Sequence, residues 1–258
     1  IYPPVNILRF RPVKTKVSYK VKEHSNVETL LERELKDYYI STVRLTEKKQ
    51  VDKLVHAFVH MPLKNLIVFY NPTDPDTEKV MKIARGSNNI FFIHEPLEMK
   101  RSAIISSAVA SISIAKQEDF GIEVVESMAC GVPVITSNVG GHKETVIDGK
   151  TGIFLPEDFS VYNIMEVVEK LTPEKSLEMK DACIKQAKLF ALEDFAEHMQ
   201  NYFLNDEIND IETPEEEGEE QKIVSLPQEA QKEEDLTIDL LSVDGVKPSS
   251  RSMFERLD

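Results

Sequence analysis

Residues 110–136 constrain the fold more than any other stretch of the chain. A short run of small and β-branched residues, 110–115, reads as a strand. A loop closed by Phe120-Gly121 follows, and a second strand runs over 133–136. Between them Ile122, Val125 and Met128/Ala129 repeat at helical spacing, so a helix starts near Gly121. The first amides of that helix have no partner within it, and its positive dipole end favours an anion such as phosphate. Gly121 lets a ligand approach the backbone closely. Glu118 stands in the loop before this end and Glu126 inside the helix, eight positions on. A carboxylate only accepts hydrogen bonds, so the two can hold hydroxyl groups on either side of a bound phosphate. Sugar hydroxyls, a diphosphate and a ribose diol have that layout.

The alternation extends in both directions. Strands are expected at 38–43, 65–70, 89–93 and 152–155. Helices are expected at 51–61, 77–85, 97–107, around 143–147, at 160–171 and over 174–204. Strands alternating with helices of about ten residues imply an α/β fold, a Rossmann-like parallel sheet covered by helices on both faces. Ligands of such sheets bind at the carboxyl ends of the strands. Arg44 follows the first strand and Lys49 lies five residues on, so both cations can reach that crevice, with Lys48 competing for the lysine's place. An arginine offers phosphate oxygens a planar fork, a lysine a compact charge.

The formal net charge of −14 is unevenly spread. From Asp206 onward seventeen acidic residues stand against five basic ones, leaving 28 acidic and 26 basic in the body. A nearly neutral body argues against non-specific nucleic-acid binding. The acidic, aromatic-poor stretch 206–258 reads as a disordered tail. Within it Leu236-Thr237-Ile238-Asp239-Leu240-Leu241 is an acidic-apolar patch that either docks on a partner or shares the disorder. No run of eighteen apolar residues is present, and the first residues carry neither the basic nor the apolar region of a signal peptide. Cys130 and Cys183 fall in helical patterns and read as buried free thiols in a reducing compartment. The expected location is the cytoplasm, free or peripheral at a membrane.

Ordered blocks carry a family likeness. Glu118 and Glu126 with Phe120-Gly121 resemble the E-x7-E signature of retaining nucleotide-sugar glycosyltransferases built from two Rossmann-like domains, the GT-B fold. The likeness continues through Ala129-Cys130-Gly131-Val132-Pro133-Val134-Ile135, Val139-Gly140-Gly141 with Glu144, and Asp148-Gly149-Lys150-Thr151-Gly152. Val43-Arg44-Leu45 with Lys49 resembles the family's GRL…K segment. The chain thus resembles the C-terminal, donor-binding domain of the glycosyl transferases group 1 family.

That resemblance implies roles. Arg44 and Lys49 hold the donor diphosphate, and Glu118 the donor sugar's hydroxyls. Phe120, Gly121 and Ile122 present backbone to the donor, Glu126 takes the ribose diol, His94 lies near the nucleobase, and Gly140 and Gly141 complete the donor-binding set. Tyr2-Pro3-Pro4-Val5 resembles the interdomain connector of mannosyl-type members, and Ala115-Lys116-x-Glu118-Asp119-Phe120-Gly121 looks most like mannosyltransferases. The implied donor is GDP-mannose, with a UDP-sugar second, and the implied acceptor a glycan or lipid-linked sugar. Residues 1–38 are then connector and a basic, helical insertion, 39–205 the nucleotide-sugar-binding domain and 206–258 the tail. The acceptor-binding N-terminal domain would lie outside the chain. The two cations and the helix end make a metal unnecessary, so neither cofactor nor metal is expected.

Some positions depart from the pattern. Val43 and His94 stand where glycines are usual, Ala115 where a serine often is, and Tyr70-Asn71-Pro72 replaces a glycine-rich turn. These departures leave open a reading of a different class, a non-catalytic nucleotide-sugar-binding or partner-docking module. Ser25-x-x-Glu28 reads as a capping box opening a helix through Leu30, Leu31 and Leu35. Lys14, Lys16, Lys20 and Lys22 read as a solvated strand face rather than a polyanion site. Asp74-Pro75-Asp76 has the D-x-D form of metal-dependent transferases of another fold, but aspartate is ordinary in a Pro-rich turn. His56 and His60 lack the glutamate of H-E-x-x-H, position 57 being alanine. His142 either approaches the phosphates or faces solvent.

Overall fold

The computed structural model describes residues 3–7, 9–24, 27–94, 96, 98–192, 195–196, 199–200 and 236–237. Six of its strands are β3 (Tyr38–Ser41), β4 (Asn65–Tyr70), β5 (Ile90–His94), β6 (Ala110–Ser113), β7 (Val134–Ser137) and β8 (Gly152–Leu155). They form one parallel sheet in the order β5-β4-β3-β6-β7-β8. Apolar and β-branched residues fill these strands because both faces are covered, the pattern of a parallel sheet.

Helices α1 (Val51–Val59), α2 (Thr77–Ala84) and α6 (Val161–Lys170) share one core with one sheet face. On the other face lie α3 (Glu98–Ser106), α4 (Ile122–Ala129) and α7 (Pro173–Lys188), with α5 (His142–Thr145) a single turn after β7. Alternation along β3 assigns one tyrosine to each core. Tyr39 packs on Phe58, ring centroids 5.7 Å apart, and its hydroxyl lies 2.8 Å from the carbonyls of Val168 and Leu171 at the end of α6. Tyr38 turns to the opposite core and donates to the Ile104 carbonyl of α3. Burial raises both phenols above their ordinary range, so both remain protonated. Cys130 closes α4 and Cys183 lies in α7; both are free and buried, as expected.

The strand order reverses between β3 and β6. Chain connections run outward from these two neighbours, so the loops leaving their carboxyl ends part and open a crevice. Residues 42–50 line one side and residues 114–121 the other.

Several sequence expectations need correction. No helix opens at the Ser25-x-x-Glu28 box: β1 (Val17–His24) and β2 (Val27–Glu34) form an antiparallel hairpin, while Ser25 and Asn26 lie outside the described residues. A capping box is a local preference, and pairing along the hairpin overrides it. The long last helix is interrupted after Lys188, where the chain turns to meet its own beginning; helical residues resume at 192, 195–196 and 199–200, and 201–204 lie outside the described residues. Val5 donates to the Phe190 carbonyl at 2.9 Å and bridges Ala191. The tail 206–258 lies outside the described residues except Leu236–Thr237. These form a two-residue strand, β9, parallel to Val17 and Ser18. Among the described residues no helix is long and apolar enough to cross a membrane.

Candidate functional site

The two loops of the crevice are laced together. Lys116 N–H donates to the Lys48 carbonyl at 2.8 Å, and the Gln50 side chain donates to the Ile114 carbonyl at 2.9 Å. Gln50 is buried and left-handed, φ 50°, between a 3-10 turn over Glu47–Lys49 and α1. Held this way, the turn carries Lys49 across to the other loop. Its ammonium meets the Glu118 carboxylate and, at 2.8 Å, Oε1 of Glu123. The Lys49 side chain is 22% exposed, and those of Glu118 and Glu123 are 11% and 15% exposed. Burial disfavours each charge, but pairing wins: the Lys49 pKa is raised and that of Glu123 lowered.

Backbone contacts fix the Glu118 loop. Gly141 N–H donates to the Glu118 carbonyl at 2.9 Å. A Cβ on Gly140 would stand 1.9 Å from that oxygen, and one on Gly141 2.3 Å from Phe120 Cα, so only glycines let the loops approach this closely. Phe120 is buried edge-on against Phe190, 5.5 Å between centroids. Gly121 begins α4 with φ 86° and no side-chain cap, and the Val124 N–H turns back to the Gly121 carbonyl at 3.0 Å, so the positive end of the helix dipole faces the crevice. A Cβ there would reach 2.9 Å from the His142 ring. Ile122, next to it, is 45% exposed.

His142 is fully buried, which decides between its two readings against solvent. Nδ1 lies 3.1 Å from the Ser137 carbonyl, which can only accept, so Nδ1 carries the proton. Nε2 lies 3.5 Å from Ser113 Oγ and 4.0 Å from Glu118 Oε2. Burial lowers its pKa, with the Ser137 carbonyl and the two carboxylates pulling the other way, so the ring is neutral near neutral pH. Glu118, Glu123 and His142 offer ligand atoms within 4.8 Å of one another, a set a divalent cation could use; Lys49 Nζ stands at both carboxylates.

Beside this centre lies a second group. The Asp74 side chain, 3% exposed, accepts from Leu45 N–H at 2.9 Å and Arg44 Nε at 3.1 Å, while the Arg44 side chain stays 75% exposed. Arg101 of α3 reaches Glu126 at 3.2 Å and lies over the Phe69 ring, 5.7 Å from its centroid. A cavity of about 130 Å³ opens between Arg44 and Arg101, lined also by Thr42, Tyr70 and Asn71. His94 is exposed at the end of β5, 5.7 Å from the Tyr70 ring, two strands from β3. A larger cavity of about 570 Å³, around Leu63 and Tyr162, lies by the lead-in to β4 at the opposite end of the sheet.

The structure therefore brings Lys49, Glu118, Gly121, Gly140 and Gly141 into one centre. Arg44 and Glu126 stand in the adjoining group, with His94 farther along the same edge. Sequence reasoning missed Glu123, Gln50, Arg101 and the anchoring use of Asp74. An acidic residue in the first turn after a glycine cap was the one available signal for Glu123.

Residues 23–190 match the model of the family described as Glycosyl transferases group 1. The chain belongs to that family. Among curated relatives, this group 1 chain is 24% identical to the GDP-Man:Man(3)GlcNAc(2)-PP-Dol alpha-1,2-mannosyltransferase of Xenopus tropicalis, over 76% of its own length and 41% of the relative's. It is 38% identical to the alpha-1,3/1,6-mannosyltransferase alg2 of Schizosaccharomyces pombe, over 31% of this chain and 16% of that one. Among solved structures, sucrose-phosphate synthase from Thermosynechococcus elongatus superposes with TM-score 0.64 at 20% identity, covering 81% of this chain and 52% of that one. The chain thus spans about half or less of the length of these relatives. The fold is the Rossmann-like domain that forms one half of the GT-B architecture.

Proposed function

We propose that the chain is the donor-binding half of a retaining glycosyltransferase. It would move a hexose, mannose first, from a nucleotide-diphosphate sugar to a glycan or lipid-linked acceptor held by an N-terminal GT-B domain. One observation carries the reading: Lys49 and Glu118, 69 positions apart, meet beside the open N-terminus of α4 at the reversal of strand order. Family membership and the mannosyltransferase relatives favour GDP-mannose over a UDP-sugar.

The chemical difficulty is negative charge growing on the leaving diphosphate as the glycosidic bond breaks. Lys49, the positive dipole end of α4 and the Arg44 guanidinium supply preorganised positive charge for it, without a metal. Glu118 accepts from donor sugar hydroxyls, and Glu126, held by Arg101, from the ribose diol. Neutral His142 backs the Glu118 loop and contributes no cation.

Calorimetry with GDP in the presence of EDTA tests the reading. Binding with chelator present is expected. Binding that vanishes with EDTA and returns with Mn²⁺ overturns the metal-free mechanism, and absence of binding in both overturns the site. Hexose transfer or donor hydrolysis by the chain with an N-terminal domain supplied separates an enzyme from a binding module.

A further inference from the structure

Three glutamates, Glu118, Glu123 and Glu126, stand around the proposed donor site, and the roles above use two. Glu123 lies in the first turn of α4, at the helix end where the diphosphate would bind. Its Oε1 accepts from Lys49 Nζ at 2.8 Å and lies 3.2 Å from Ser113 Oγ of β6. Ser113 in turn neighbours His142, whose proton is committed to the Ser137 carbonyl. The charged groups of this cluster are thus one ammonium and two carboxylates, with neutral side chains behind them, a local net charge of −1. The lysine that is to receive a diphosphate already holds anions on two of its three N–H donors.

An incoming diphosphate must therefore compete for Lys49. Glu118 has an alternative role, since sugar hydroxyls can replace the ammonium as donors to its carboxylate. Glu123, pinned through Ser113 and placed toward the phosphate end, has none. We propose that Glu123 is an affinity-setting residue: a resident anion that occupies Lys49 in the empty site, competes with the donor diphosphate for it, and takes it back when the nucleoside diphosphate leaves. This rests on the reading of Lys49 as a diphosphate ligand.

Glu123→Gln keeps size and hydrogen bonding while removing the charge. The affinity for GDP should rise about tenfold, more at low salt than at high salt, while the affinity for guanosine, which carries no phosphate, stays unchanged. Combining it with Lys49→Ala should erase the gain. Should the glutamine variant not fold, Glu123→Ala carries the same test, since alanine suits the helix and asks nothing of its neighbours. Unchanged or weaker GDP binding by a folded Glu123 variant overturns the proposal, as does an equal gain for guanosine. If Lys49→Ala alone leaves GDP affinity untouched, the assignment of Lys49, and with it the proposed function, fails. If Lys49→Ala weakens GDP binding but Glu123 variants do not strengthen it, only the role of Glu123 falls.

Discussion

Lys49 and Arg44 leave the same strand and flank the same crevice, yet their surroundings differ. Lys49 is enclosed between two carboxylates, its loop laced to the opposite one, whereas three-quarters of the Arg44 side chain lies in solvent with one anchor on Asp74. A charge held where water is largely excluded acts strongly on its neighbours, while an exposed one is screened. The enclosed cation is preorganised; the exposed one is free to follow a ligand. Two positions given the same role in the proposed function are therefore expected to carry unequal shares of it.

That inequality can be broken at its strong end first. Lys49→Ala should lower transfer by 10²–10³, on the order of 3 kcal/mol, and also lower the melting temperature, because two part-buried carboxylates lose their cation. Steady-state rates and a thermal scan check both. Gly140→Ala comes next, since its methyl would collide with the Glu118 carbonyl and push the Lys49 side of the crevice apart. A stability loss of about 1–3 kcal/mol by chemical denaturation is expected. Arg44→Ala should cost only about tenfold in rate, roughly 1.4 kcal/mol, with the melting temperature nearly unchanged. A loss equal to that of Lys49→Ala would erase the contrast.

A pH titration sharpens the comparison further. Burial holds His142 below its ordinary pKa, so as pH falls the unfolded chain takes up this proton before the folded one does. Stability is therefore fully present above about pH 6.5 and declines below it, by up to about 1.4 kcal/mol per unit until the folded pKa is reached. His142→Gln should flatten that part of the stability profile. The smallest effect belongs to the tail. Deleting residues 206–258 removes only the short β9 pairing among described contacts, and the melting temperature should move little.

The sheet, the helix order and the start of α4 were legible because each is written in local periodicity and in a glycine that must turn. The Lys49–Glu123 pair was not, because its partners lie 74 positions apart and neither residue's surroundings announce the other. Asp74 was read as an ordinary turn aspartate because its acceptors serve Leu45 and Arg44, about 30 residues earlier. The hairpin failed for the opposite reason. A convincing local signal at Ser25-x-x-Glu28 gave way to a pairing that only the folded chain provides.

The two cysteines amount to a built-in stopwatch. Burial pushes the Cys130 thiol up to about 11 and the Cys183 thiol up to about 12, and the thiolate is the form that reacts. A thiol reagent must therefore wait for the chain to open. Cys183 sits in α7, which packs on α4, and its sulfur lies 3.4 Å from the Thr151 carbonyl, whereas Cys130 nestles against Ser102 of α3. Labelling of Cys183 ahead of Cys130 would mean that α7 peels away first; equal rates would mean that this whole face lets go at once.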